Sequence, residues 1–512
     1  MLDLYDLGIF GVVVIVLAFA SYTLLHSPSR EPPSVSSKIP FLGHLIGLIQ
    51  HGPVERHPQH PIFAVNILSF KLFVTSSTTV VRAAQKHPTA ITLEPLLKFM
   101  QKSLCQTSRE KLATLCDQNG GPSPISRIVH DMTLVLAGRS LDRMNKIMLR
   151  QLLPMIDDMG NHETIDLNGW LRHAITMAST DATYGNLNPF KNKYIEDTFW
   201  ELECNVALLL ANIVPWLIAP KAWKARKVLC AEFKRYFDLG GHEDASELLA
   251  MRYRSFLGAG LTHEEIAYSE MPLLLGLLAN TVPAAFWVHF ELFSRPKLLE
   301  ETRKEIEQNA LKIASDGTHI IDMGYIRDNC PLLLSIYQES LRTRTKMVTI
   351  RFVTQDVVLA DKYFLGSGAM LFMPAKQLGR DKNAWGASAD HFEARRFMKS
   401  TATFKNDGDK IKDPRRIGGF MTFGVSPAIC PGRHFSTSEI LALVAMITLR
   451  YDIAPVDHVW HEPPMSSSAT ISNMCEIGGR FPVAVKKRKR YEGKTWGFRI
   501  TEGRGQFGLA VG

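Results

Sequence analysis

The sequence lacks paired cysteines. Its cysteines are scattered, odd in number and never arranged as Cys-x-x-Cys; they are Cys105, Cys116, Cys204, Cys230, Cys330, Cys430 and Cys475. A disulfide framework or a zinc site needs paired or closely spaced cysteines, so this pattern indicates neither. The Asn-x-Ser/Thr glycosylation sequon is also missing, which favours a cytosolic body.

A strong charge bias is missing as well, since 59 basic and 50 acidic residues leave a formal charge of only +9. The basic run Lys486–Arg490 has no nucleic-acid-binding motif beside it, and we interpret it as a solvated surface that also attracts anionic lipid headgroups. The segment Gly503–Gly508 fits Gly-x-Gly-x-x-Gly. No strand is predicted before it and only four residues follow it, so a nucleotide site is not expected there.

The N-terminus carries a long apolar run. As a helix, the 19 uncharged residues Leu7–Leu25 would reach about 28 Å, close to the ~30 Å hydrocarbon core of a bilayer. Ala18–Ala20 imitates a signal-peptidase site, but signal peptides begin with basic residues and this chain begins with Asp3 and Asp6. Basic residues follow the run, so we predict a retained anchor, residues 1–26, with the body in the cytosol.

The rest of the chain is expected to be mainly α with a minor β-sheet. Its 46% hydrophobic and 21% charged residues are typical of a globular protein with a large core. We predict a proline-rich hinge (27–45), one large catalytic domain (46–490) and a basic, glycine-rich tail (491–512). Periodicity predicts a hairpin at 61–75, strands at 348–359 and 363–373, and helices at 141–156, 167–182, 197–213, 266–293 and 431–450.

Cys430 lies in a loop containing glycine and proline, immediately before the predicted last helix. Pro431 suits the first helical position, which places the sulfur at a helix N-terminus, where free N–H groups stabilise a thiolate and lower the pKa of the thiol. On these grounds alone, a buried cysteine is more often a small hydrophobic residue than a metal ligand.

The segment around Cys430 resembles the haem-binding loop of the cytochrome P-450 superfamily, because Phe423, Gly424, Cys430 and Gly432 match its Phe-x-x-x-x-x-x-Cys-x-Gly pattern. The resemblance implies the fold of that family, with haem b bound through the Cys430 thiolate. It also implies that Phe423 packs on the macrocycle and that the two glycines let the backbone approach it. Two positions depart from the family: Ser426 replaces a glycine and Ala428 replaces a basic residue.

Two further segments support the resemblance. Glu339 and Arg342, in Tyr-Gln-Glu-Ser-Leu-Arg, share a helix face, and Phe392–Phe397 is similar to the family's Pro-Glu-Arg-Phe segment with alanine in place of proline. The resemblance implies that Arg396 joins Glu339 and Arg342 in a buried charge network behind the haem. Without it, such a pair is commonly a surface salt bridge of little energy.

The sequence motifs for contacts to the haem propionates are less distinct. Arg351, at the start of a predicted strand, matches a position that often meets a propionate in the family, and a surface arginine is an equal alternative. The family's Trp-x-x-x-Arg motif is missing around 141–150, where Arg143 and Lys146 are candidate substitutes.

The apolar stretch Met271–Ser294 predicts a buried helix that Pro283 kinks, leaving the Ala279 carbonyl free beside Asn280. It resembles the branch that contains sterol 7α-hydroxylases and prostacyclin synthase. Our hypothesis is that Asn280 and ordered water relay protons to oxygen, with Thr281 as an alternative hydroxyl. A simple helix kink is the structural alternative.

The resemblance implies a monooxygenase of the endoplasmic reticulum membrane. The expected substrate is a hydrophobic small molecule, terpenoid, steroid or alkaloid-like, in fungal secondary metabolism. No flavin or nicotinamide motif is present, so electrons are expected from NADPH through a separate reductase that meets a basic surface including Lys486–Arg490 or Arg433. A peroxide isomerase of the prostacyclin-synthase type and a haem-free scaffold remain alternatives.

Overall fold

The computed structural model describes residues 30–35, 60–67, 70–117, 121–398, 419–468, 471–503 and 505–509. The predicted anchor lies outside these residues, and the predicted hinge is described only at 30–35. The described part divides into a smaller unit, from residues up to Thr92 and Ile350–Met373, and a larger unit, Leu93–Thr349 with Pro374–Gly512.

The described helices of more than four residues are α1 (Thr78–Gln85), α2 (Glu94–Ser103), α3 (Arg109–Cys116), α4 (Pro124–Val135), α5 (Gly138–Met159), α6 (Leu167–Tyr184), α7 (Lys193–Glu203), α8 (Val206–Leu210), α10 (Pro220–Asp238), α11 (Glu247–Gly258), α12 (His263–Ser269), α13 (Met271–Leu278), α14 (Thr281–Phe293), α15 (Pro296–Asn309), α16 (Met323–Asn329), α17 (Pro331–Arg344) and α20 (Arg433–Arg450). Three single turns complete the series: α9 (Pro215–Ile218), α18 (Ala375–Leu378) and α19 (Lys382–Trp385).

The described strands are β1 (Ile62–Ile67), β2 (Phe70–Thr75), β3 (Ile91–Thr92), β4 (Thr164–Asp166), β5 (Leu311–Ile313), β6 (His319–Asp322), β7 (Val348–Val353), β8 (Val357–Leu359), β9 (Tyr363–Leu365), β10 (Met370–Pro374), β11 (Gly424–Val425), β12 (Ala428–Ile429), β13 (Tyr451–Pro455), β14 (Pro482–Lys487) and β15 (Trp496–Arg499). The smaller unit carries a five-stranded sheet in the order β1-β2-β10-β7-β3. The predicted hairpin is its antiparallel β1–β2 pair.

The core of the larger unit lies between long helices. Every residue of α14 is buried, and nearly all of α20 is, since both helices are apolar on most sides and therefore need protein around them. α14 packs against α6, α17 and α20, and α5 packs against α6 and α20. The stretch His263–Phe293 is long and apolar enough to span a membrane, but it is mostly buried inside the protein.

Three predicted helices differ in detail from the structure. The helix expected over 197–213 is interrupted between α7 and α8, where Asn205 leaves helical dihedrals (φ −129°, ψ 9°), in keeping with the weak helix propensity of asparagine. The stretch 266–293 forms α12, α13 and α14 in succession. The last helix begins at Arg433 instead of Pro431, because Gly432 is its N-cap.

The chain end packs onto the larger unit. β15 pairs in parallel with β6, and Tyr491, Trp496 and Phe507 are buried. The expectation that no strand precedes Gly503–Gly508 was wrong, since β15 ends at Arg499. No helix follows this segment in the described part of the chain, residues 500–503 and 505–509.

Candidate active site

The Cys430 loop (residues 423–432) is a short hairpin followed by a helix. β11 and β12 pair antiparallel, and the Cys430 N–H donates to the Phe423 carbonyl at 2.8 Å. Gly424 has φ +86°, and a Cβ there would lie 2.9 Å from the Ala428 carbonyl oxygen, so the turn requires glycine. Ser426 is not among the described non-glycine residues with positive φ. Serine at this position therefore imposes no strain of the kind its replacement of glycine suggested.

The environment of the Cys430 sulfur opposes a free thiolate. Burial raises the pKa of the Cys430 thiol, and the N–H groups of Gly432 and Arg433 and the Arg433 charge lower it by less. The net direction is upward, opposite to the lowering expected from a helix N-terminus, because desolvation outweighs the amide dipoles. A thiol that coordinates a metal is deprotonated nonetheless, so this sulfur fits a metal ligand better than a free nucleophile.

The surroundings of Cys430 also fit a flat, apolar group. Gly432 has φ −81°, and a Cβ added to it would meet no protein atom within 4 Å. Neither conformation nor protein packing requires glycine here, and the missing side chain leaves open space in which a bound group can approach the backbone. Phe423 is buried, with its ring 6.4 Å from that of Phe420. A thiol that can bind iron, a glycine that leaves open space and an aromatic side chain together suit haem.

Glu339, Arg342 and Arg396 form one buried ion network. Arg342 donates from Nε and Nη2 to the two oxygens of Glu339, each at 2.7 Å, and Arg396 Nε donates to Oε1 at 3.0 Å. The Glu393 N–H donates to the same oxygen at 2.9 Å. The remaining guanidinium N–H groups bind carbonyls, among them those of Ala389 and Trp385. All members of the network are thus mutually satisfied, as buried charges require.

The Asn280 turn (residues 279–281) separates α13 from α14. The expectation of a free Ala279 carbonyl was wrong, because the Ser472 hydroxyl donates to it at 3.1 Å. The Asn473 N–H donates to Asn280 Oδ1 at 2.7 Å, which fixes the amide with Nδ2 as its only donor. The Thr281 hydroxyl donates to the Leu277 carbonyl at 2.9 Å. The Thr281 hydroxyl is therefore turned back toward the last turn of α13.

The partners of the Asn280 turn come from residues 472–475, which the sequence did not indicate. The Lys346 N–H donates to the Asn473 carbonyl, and the Cys475 N–H donates to the Arg344 carbonyl, both at 2.8 Å. Residues 472–475 are thereby tied to the end of α17 as well as to the turn. These two hydrogen bonds join backbone groups, which are the same in every residue type except proline, so no residue pattern in the sequence predicts them.

The candidate propionate partners lie on different secondary-structure elements. Arg351 lies on β7 in the smaller unit, is buried, and donates to the Ile350 carbonyl at 2.9 Å; burial lowers its pKa to about 10. Arg143 and Lys146 lie on the exposed face of α5, and Lys146 Nζ is 3.5 Å from Glu502. Their binding to propionates stays a prediction.

Known proteins are similar to this chain in sequence and fold. A family profile described as Cytochrome P450 matches residues 33–474. Cytochrome P450 monooxygenase nodJ of Hypoxylon pulicicidum is 32% identical over 521 residues, covering 98% of this chain and 100% of that protein. The 25-hydroxycholesterol 7-alpha-hydroxylase of Rattus norvegicus is 25% identical over 356 residues, covering 65% of this chain and 83% of the rat protein.

A second fungal relative, cytochrome P450 monooxygenase calL of Penicillium decumbens, is 29% identical over 288 residues, which cover 53% of this chain and 52% of that protein. Among solved structures, retinoic acid bound cyanobacterial CYP120A1 has a TM-score of 0.68 at 16% identity, covering 90% of this chain and all of that one. The fold, the Cys430 loop and these matches together place the chain in the cytochrome P450 family of haem-thiolate monooxygenases.

Proposed function

We propose that this enzyme inserts one oxygen atom from O₂ into a hydrophobic small molecule, terpenoid, steroid or alkaloid-like, in fungal secondary metabolite biosynthesis. The observation that carries the proposal is the half-buried Cys430 thiol, which lies beside the N–H groups of Gly432 and Arg433 at the start of α20. Haem bound through a cysteine thiolate supplies the oxygen chemistry, to which the thiolate contributes electron density. The full-length similarity to a fungal cytochrome P450 monooxygenase supports the reaction, and the partial similarity to a 25-hydroxycholesterol 7-alpha-hydroxylase supports a steroid-like substrate.

In this proposal the chain contributes the frame around the haem. Cys430 is the axial ligand, Phe423 packs on the macrocycle, and Gly424 and Gly432 shape the loop. Glu339, Arg342 and Arg396 fix the segment 379–391 against α17, since the two arginines donate to the carbonyls of Gly379, Trp385, Ala389 and His391. Arg351 is the proposed propionate partner.

We propose that ordered water, held by the Nδ2 amide of Asn280, relays the protons. Its Oδ1 is occupied by the Asn473 N–H, so only Nδ2 is left to donate to a substrate, to oxygen or to a water that carries protons inward. The Thr281 hydroxyl, bonded to Leu277, is the weaker candidate. A relay of this kind is needed by a hydroxylase, which consumes protons, and not by an enzyme that rearranges a peroxide.

Electrons are proposed to come from NADPH through a separate reductase. Lys486, Lys487, Lys489 and Arg490 are exposed, so they offer positive charge to an acidic partner surface. Arg433 is a less available contact, because its Nη1 donates to the Cys430 carbonyl at 3.0 Å.

We propose that residues 1–26 anchor the enzyme in the endoplasmic reticulum membrane, with a second contact around α9. Ile213, Trp216 and Leu217 are 63%, 61% and 72% exposed, an apolar cluster that water does not favour. Replacing Trp216 and Leu217 by serine in a chain that starts after residue 26 should release it from anionic vesicles, with the unsubstituted shortened chain as control. Equal binding of both would contradict the second contact.

The test of the proposed activity is isotope incorporation. The enzyme with a reductase, NADPH and labelled O₂ is supplied with a panel of terpenoids, steroids and alkaloids, and products are analysed by mass spectrometry. The expected result is one labelled oxygen atom per product and none without NADPH. Rearrangement of a hydroperoxide without NADPH, and no labelled product, would overturn the proposal in favour of an isomerase.

A further inference from the structure

The chain continues past the region that defines its family. The family profile ends at residue 474, yet residues further on pack closely on the larger unit. After β15, residues 500–503 and 505–509 contact α5, α16 and the start of α20. We call this segment the C-terminal clasp.

The first contacts of the clasp are with α5. The Gly503 N–H donates to Asp142 Oδ2 at 2.7 Å, and Asp142 is only 2% exposed. A Cβ added to Gly505 would lie 2.7 Å from Asp142 Oδ1 and 3.2 Å from Leu141 Cδ2. The backbone of the clasp therefore lies so close to α5 that position 505 has no room for a side chain.

The second contact is with the helix that follows Cys430. The Phe507 N–H donates to Nδ1 of His434 at 3.1 Å, and both residues are buried. His434 lies in the first turn of α20, four residues after Cys430. That turn is bonded to Cys430 directly, since Arg433 Nη1 donates to the Cys430 carbonyl at 3.0 Å.

The hydrogen bond from the Phe507 N–H defines the protonation state of the His434 imidazole. Because the Phe507 N–H is the donor, Nδ1 must be without a proton, so His434 is neutral. Burial and the neighbouring Arg433 charge lower the pKa of His434 to about 4. The bond is therefore present at neutral pH.

We propose that the C-terminal clasp is a positioning element for the thiolate ligand, joining α5 to the first turn of α20 so that the Cys430 loop keeps its geometry. The proposal rests on ligation of haem by Cys430. It adds that residues beyond the family region, Gly505 and Phe507 with His434, set how firmly that ligation is held.

The test compares two glycines of the clasp. Gly505→Val places a side chain against Asp142 and Leu141, whereas Gly508→Val is the matched control, because a Cβ at Gly508 meets no atom within 4 Å. The readouts are the fraction of thiolate-ligated protein in the spectrum of the reduced carbon-monoxide complex, the haem midpoint potential, and hydrogen exchange of peptide 500–509.

We expect Gly505→Val to raise the ratio of thiol- to thiolate-ligated protein about fivefold, the effect of losing one hydrogen bond, with faster exchange and a shifted potential. Gly508→Val should match the unsubstituted enzyme. Should Gly505→Val fail to fold, His434→Asn, which keeps an acceptor oxygen near the place of Nδ1, is compared with His434→Leu, and only the leucine variant should lose thiolate ligation.

Different results would contradict ligation of haem by Cys430 and the role of the C-terminal clasp. An unsubstituted enzyme without a thiolate spectrum would contradict ligation by Cys430. A normal spectrum and potential in Gly505→Val, or equal behaviour of His434→Asn and His434→Leu, would overturn the clasp alone.

Discussion

The two sides of the candidate site are held in different ways. On the Cys430 side, the Glu339 carboxylate pairs with the guanidiniums of Arg342 and Arg396, and the three side chains form a buried ion network. On the opposite helix, the Asn280 turn is held by a backbone N–H and a hydroxyl from residues 472 and 473. Charge holds the first region and neutral hydrogen bonds hold the second, so the first should tolerate substitution far less.

Glu339→Gln should have the largest effect. Loss of the carboxylate leaves the buried Arg342 without its counter-charge and Arg396 with only the exposed Glu393, which costs about 3–5 kcal/mol in the free energy of unfolding. Glu393→Gln is the control, because Glu393 pairs with the same Arg396 but is 49% exposed, and an exposed pair contributes at most about 1 kcal/mol. Urea denaturation measures both, and equal losses would contradict the dominance of the buried network.

Glu439, on α20, is a second buried glutamate but has no cation to pair with it among the contacts found in the described residues. Burial raises its pKa to about 8, and the Ser179 hydroxyl, which donates to both its oxygens at 2.9 Å, lowers it by less. Because the folded state binds the proton more tightly, the contribution of Glu439 to stability is complete below about pH 4.5, its unfolded value, and is lost as pH rises to about 8.

Glu439→Gln should remove that part of the pH dependence. The variant is expected to gain stability relative to the unsubstituted enzyme as pH rises from about 4.5 to about 8, since glutamine does not titrate. Urea denaturation across this range is the measurement. Parallel curves for the two proteins would show that Glu439 is ionised in the fold.

Gly424→Ala and Gly432→Ala separate folding of the Cys430 loop from haem binding. Alanine at Gly424 must keep φ +86° and approach the Ala428 carbonyl, which costs about 1–2 kcal/mol of stability. Alanine at Gly432 strains no protein contact, so the haem-free protein should unfold as before while haem retention falls. Unfolding of the haem-free proteins and haem release to apomyoglobin are measured, and a destabilised Gly432→Ala would contradict the distinction.

Asn280→Leu should have a smaller effect on stability than Glu339→Gln, since it removes one neutral acceptor, the Oδ1 bonded to the Asn473 N–H, and a selective effect on turnover. Product per NADPH is expected to fall about tenfold, equivalent to ~1.4 kcal/mol in the barrier, because the Nδ2 donor is lost. Asn280→Asp keeps the acceptor for the Asn473 N–H and supplies an acid in place of the amide, so it should retain coupling. Equal losses in both variants would contradict a proton relay at this position, since Asn280→Asp keeps the acceptor for the Asn473 N–H and supplies a group that carries a proton.

Short motifs and hydrophobic periodicity in the sequence predicted part of the fold and of the candidate site. The resemblance to the family predicted haem ligation by Cys430, which stays a prediction, and the ion network of Glu339, Arg342 and Arg396, which the structure contains. The free Ala279 carbonyl was wrong because Ser472, about 190 residues away, supplies a hydroxyl. The clasp was missed because its contacts use the N–H groups of Gly503 and Phe507, which leave no mark on a residue pattern.

The most direct test is the reduced carbon-monoxide spectrum of the enzyme beside Cys430→Ala and Cys475→Ala. Both are cysteines without a disulfide in the described chain, but only Cys430 stands at the start of α20. The account predicts the thiolate-type band in the unsubstituted enzyme and in Cys475→Ala, and its complete loss in Cys430→Ala. The same band in Cys430→Ala, or no bound haem in the unsubstituted enzyme, would contradict it.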